Sequence, residues 1–207
     1  MRAAGVFSVC LGAALVACAC ERVAIHEYPF PPQPPNTTYT ITMRRVYDAG
    51  RPAALMTFAR DPAGHPTSGT MVGMLHGWPF PHASKDGSHG ECAFTYRTEF
   101  GVTRVGADGM PLAAEGVKTI YFHPENEPVS LDRPAALASG QPIIRDSVTL
   151  TFSFNPDASV AIAENSRRIW SQSFECKGSR ITPPGEPPIS RNIVATYSPR
   201  YAGYVLR

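Results

Sequence analysis

From Thr37 onward, apolar and polar residues alternate with a period of two. Tyr39, Ile41 and Met43 alternate with threonines and Arg44. Phe94, Tyr96 and Phe100 alternate with Ala93, Thr95, Arg97 and Glu99, and Val148, Leu150, Phe152 and Phe154 alternate with serines and threonines. Successive side chains of an extended strand point to opposite faces, so this spacing predicts half-buried strands. Further strands are expected over 53–59, 70–76, 117–122, 169–176, 192–197 and 201–206, separated by turn-forming segments such as DAGRP, DPAGHP, GADGMP and NPDAS. Only DRPAALAS (132–139) and ASVAIAENSRR (158–168) have helical character, and the second also reads as a strand after the Asn155-Pro156 turn. The pattern predicts an all-β fold, an antiparallel β-sandwich or barrel of about nine strands with long loops and little helix. The final segment, YSPRYAGYVLR, reads as an edge or closing strand whose Tyr201, Tyr204 and Val205 pack.

Composition agrees with this picture. The 207 residues are enough for one domain with a substantial core, and 21 prolines with 17 glycines favour turns over long helices. The net charge of +2 comes from scattered lysines and arginines, which gives no electrostatic footprint for nucleic acid.

The pattern changes at the N-terminus. Arg2 is followed by residues 3–17 with no charge, an apolar run of signal-peptide length and too short for the ~20 residues of a bilayer span. Its end, Leu15-Val16-Ala17-Cys18, resembles the lipobox of bacterial lipoproteins. The resemblance implies cleavage before Cys18 and acylation of its thiol, giving a membrane anchor made durable by several acyl chains. In a Gram-negative host, Ala19 in place of an aspartate would permit transfer to the outer membrane. A rival parse reads Ala17-Cys18-Ala19 as an A-x-A site cut before Cys20, which would release a soluble secreted protein. Residues 21–36 carry five prolines between Pro29 and Pro35, a composition that favours polyproline II and a stiff spacer. The expected organisation is a signal peptide over 1–17, a lipidated cysteine and Pro-rich tether over 18–36, and a single β-domain over 37–207. Asn36-Thr37-Thr38 forms a glycosylation sequon, relevant only in a eukaryotic secretory pathway.

Of the five cysteines, Cys10 falls in the signal region and Cys18 is the lipidation candidate. Cys92 is in register with Phe94 and Tyr96, and Cys176 with Phe174 and Trp170, so both are expected on the apolar side of their strands. In an oxidising compartment they are expected to form a disulfide closing a loop of about 84 residues, for which chain entropy gives about 4–5 kcal/mol. Cys20 has no partner in this assignment.

Candidate chemistry concentrates in HGWPFPHASKDGSHGEC, residues 76–92. VGMLHGWPFP resembles the strand-then-HGxP turn of α/β-hydrolases, which helps form an oxyanion hole, but the nucleophile elbow and covering helices of that family are missing. His76, His82 and His89 with Asp86 and Glu91 are the residue types that bind Zn²⁺, at spacings that fix no geometry, so a divalent metal is the one cofactor this segment admits. The alternative is a solvated connector. HPENEP, residues 123–128, offers His and Glu for acid–base work or merely a hydrated turn. No catalytic residue can be assigned. The overall expectation is an exported, tethered lipoprotein whose β-domain binds or supports an envelope protein, a polysaccharide or a small apolar ligand. The alternatives are a metal-dependent hydrolase built on residues 76–91 and a calycin-like carrier.

Overall fold

The computed structural model describes residues 38–40, 42–45, 54–78, 93–124, 131–176, 179–183 and 188–206. Their strands are β1 (Thr38–Thr40), β2 (Thr42–Arg45), β3 (Ala54–Arg60), β4 (Pro66–Trp78), β5 (Ala93–Val105), β6 (Pro111–His123), β7 (Gln141–Phe154), β8 (Ser159–Ser171), β9 (Phe174–Cys176), β10 (Ser179–Thr182), β11 (Ile189–Ser198) and β12 (Gly203–Leu206). β3, β4, β5, β6, β7, β8, β11 and β12 pair in that order, each antiparallel to the next, and β12 pairs back onto β3 through Leu206↔Ala54 and Tyr204↔Met56. That last pairing closes an eight-stranded barrel, so the fold is all-β and a barrel rather than an open sandwich. β2 lengthens the sheet beside the end of β4.

Period-two alternation decides between strand and helix wherever the two compete. Residues 158–168 form β8 despite their alanines and Glu164, because Val160 and Ile162 fall on one face of a strand and fill the interior. In 132–139 only Ala136–Ala138 makes a 3-10 turn. The strand expected over 169–176 divides: β8 stops at Ser171 and β9 starts at Phe174. Trp170 therefore does not share a face with Cys176. It is 40% exposed, whereas Phe174 and Cys176 are buried.

Four short turns lie at one end of the barrel. Asp61 turns β3 into β4, accepting the His65 backbone N–H at 2.8 Å, and this bond holds its carboxyl below the usual range. Asp157 does the same between β7 and β8, where the Ser159 hydroxyl is the main cause of its lowered pKa. The three long connections, between β4 and β5, β6 and β7, and β8 and β11, lie at the other end.

Inside, the ends are sealed by aromatic rings. Phe174 of β9 packs on Phe94 at 5.7 Å and Phe122 at 4.6 Å, so the small sheet β1–β10–β9 plugs the long-connection end. Phe58 packs on Phe100, Phe152 and Tyr204 near the short turns. Phe100 fits because its neighbours on both sides, Gly69 and Gly116, lack side chains. A Cβ on Gly116 would strike the backbone of Glu99 and Phe100. Met56, Met71, Tyr96, Leu150 and Ile162 fill the middle.

The outward positions are Arg97 and Glu99 on β5, Ser147, Thr149 and Thr151 on β7, Asn165 and Arg167 on β8, and Asn192 on β11. A barrel that crosses a membrane is apolar outside and polar inside, and this wall has the opposite arrangement. Part of it is covered: Leu131 and Leu137 of the β6–β7 connection pack on Leu55, Val72 and Val205 in a second apolar cluster.

Candidate functional site

His76 lies near the end of β4, opposite Arg44 of β2. His82, Asp86, His89 and Glu91 lie outside the described residues, as do Cys18 and Cys92. Among the described residues no three His, Cys, Asp or Glu side chains converge as a metal site would require. The hydrolase expectation attached to His76–Pro81 is corrected by the fold: β4 belongs to an antiparallel barrel, which lacks the parallel sheet and covering helices that such an oxyanion turn needs. Cys176 is buried in β9 and disulfide-bonded.

His123 is buried at the end of β6, with Nε2 at 2.8 Å from the Thr95 hydroxyl. That hydroxyl donates its one proton to the Leu137 carbonyl at 2.6 Å, so His123 Nε2–H is the donor to Thr95. The chain His123–Thr95–Leu137 fastens the β6–β7 connection to the barrel wall. Glu125 and Glu127 lie outside the described residues.

The densest chemistry is inside the barrel. Lys118, Asp146 and Glu164 are 5%, 4% and 1% exposed. Lys118 Nζ donates to Glu164 Oε1 at 2.8 Å and stands 4.0 Å from Asp146 Oδ2, while Arg168 Nε donates to Asp146 Oδ1 at 2.6 Å. Two cations thus face two carboxylates across β6, β7 and β8. The buried Thr98 hydroxyl, opposite Lys118 on β5, finds no hydrogen-bond partner among the described residues.

This cluster was readable from strand parity but was missed. Counting back from Val148 and Leu150 places Asp146 on the inner face, and Glu164 shares the parity of Val160 and Ile162. A charge at an inward position is the signal, because an ion in a core needs a partner.

The ion cluster also shapes the surface. Asp146 pairs with Arg168 and Arg145 with Trp170, so Ile169 is an extra residue on β8, a β-bulge. The bulge turns Arg168 toward Asp146 and leaves Ile169 58% exposed. Trp170 then faces out, with the Arg145 guanidinium 5.9 Å above its ring. Lower on the wall, Ser68, Thr70, Glu99 and Glu115 border a shallow depression of about 460 Å³.

Comparison with protein-family models, curated proteins and solved structures gives no match to this chain.

Proposed function

We propose that the protein is an exported lipoprotein, anchored through Cys18, whose barrel serves as a binding or structural module of the cell envelope. The observation that carries this reading is the sequence Leu15-Val16-Ala17-Cys18, followed by a proline-rich stretch that leads into β1 of a barrel with a water-facing wall. A stiff spacer between an acylated cysteine and a closed barrel holds the domain near a bilayer without inserting it.

A Cys92–Cys176 disulfide belongs to the same reading. β5 begins at Ala93, directly after Cys92, and Phe94 touches Phe174, which shares a buried face with Cys176. A module of the envelope also accounts for the interior better than a carrier of apolar ligands does. Such a carrier needs an apolar hollow, whereas the middle of this lumen holds packed side chains and four charged groups.

Metabolic labelling with a radioactive fatty acid tests the anchor. The wild-type chain takes up label and floats with membranes, and Cys18→Ser loses both. Label retained in Cys18→Ser, or absent from the wild type, overturns the reading. A non-reducing peptide map that lacks a Cys92–Cys176 species overturns the disulfide.

A further inference from the structure

We infer that the rim of the barrel formed by Arg145, Arg167, Ile169 and Trp170 rests on an anionic lipid surface. Docking goes beyond the anchoring reading and depends on it for proximity.

The geometry comes from the bulge in β8. A strand that keeps its register hides every second side chain, but the extra residue leaves Ile169 and Trp170 exposed side by side, 58% and 40%. An exposed isoleucine beside a tryptophan has the chemistry of a membrane interface, where an apolar side chain enters the acyl boundary and an indole sits at headgroup depth.

Charge supports the same occupant. Arg145 and Arg167 are both exposed on this wall, and neither has a carboxylate partner among the described residues. They stand on either side of Ser147: Arg145 is two residues before it on β7, and Arg167 is its partner on β8. Arg145 lies against the Trp170 ring, so a guanidinium and an indole are presented together. The carboxylates of the wall, Glu99 and Glu115, lie on β5 and β6, and Glu99 is paired with Arg97 at 2.8 Å. A phosphate headgroup therefore meets uncompensated positive charge only on the β7–β8 side.

Position completes the argument. Trp170 is near the end of β8, four residues before Phe174 of β9. β9 pairs with β10, and β10 pairs with β1, where the proline-rich segment enters the fold. The tether and the rim thus share one end of the barrel. A bilayer that holds the tether can reach Trp170, while the short turns at the opposite end point away from it.

Tryptophan quenching by brominated lipids tests this with the full chain reconstituted in vesicles through its own anchor. Trp170 and Trp78 are the two reporters, and Trp170→Phe separates them. The expected result in brominated phosphatidylglycerol vesicles is quenching of the wild type by at least one third. Trp170→Phe should remove most of that quenching, and so should Arg145→Ala/Arg167→Ala, although both variants still float with the vesicles. A chain that floats without quenching, or with quenching unchanged by Trp170→Phe, overturns docking and leaves anchoring in place. A chain that does not float overturns both. Arg145-dependent binding to polygalacturonate, without quenching by lipid, assigns the rim to an acidic polysaccharide and overturns docking.

Discussion

Replacing Lys118 with methionine keeps the volume of the side chain and removes its charge, which isolates the electrostatics of the barrel interior. Lys118 Nζ lies 2.8 Å from Glu164 Oε1, and both residues are buried. At an effective dielectric of about 20, two unit charges at that distance attract by about 6 kcal/mol. Desolvating both ions offsets most of this, so the pair adds little net stability relative to an apolar pair. Removing one partner is different, because Glu164 stays buried and loses its lysine. Lys118→Met is expected to cost about 3–5 kcal/mol, which lowers Tm by roughly 6–20 °C in a domain of this size. Adding Glu164→Leu should restore stability to within about 1 kcal/mol of the wild type. Urea denaturation reads both effects as shifts in midpoint at constant slope. A cost below about 1 kcal/mol for Lys118→Met, or a double variant as unstable as the sum of the singles, would refute the reasoning.

Other outcomes follow from single contacts. Gly116→Ala should destabilise by about 1–3 kcal/mol, since the added Cβ meets backbone that cannot move without shifting β5; calorimetric Tm measures it. Burial pushes the Tyr204 phenol above its ordinary 10.0, so the folded state keeps that proton longer than the unfolded chain. Its contribution is fully present below pH 10 and is lost as pH rises through the folded pKa; Tyr204→Phe should flatten this alkaline fall in a urea-midpoint series.

Period-two alternation made the strands legible because each strand has one face in a core. It placed β3, β4, β5, β7 and β11 within a few residues of their observed bounds. The choice between barrel and sandwich was not legible, since it rests on one pairing, β12 with β3, between strands far apart in sequence. Trp170 was misplaced because alternation counted through Gln172 and Ser173, where the strand ends, and through Ile169, where the bulge adds a residue. The histidines of 76–89 attracted attention by residue type alone, whereas Lys118, Asp146 and Glu164 carry their signal in parity. A charged residue at an inward register position says more than a cluster of ligating residues in a connector, because desolvation forces the first to find a partner.

The ring closes through Leu206 and Ala54, which lie 152 positions apart. A ribosome makes β3 long before β12, so the nascent chain cannot complete its hydrogen-bond circuit until nearly the whole domain has been synthesised. Late closure favours a polypeptide that must stay threadable through a translocation pore, and it leaves β3 as a bare sheet edge in the meantime. The interval between making β3 and making β12 is when this protein is most exposed to aggregation and most in need of a holding chaperone.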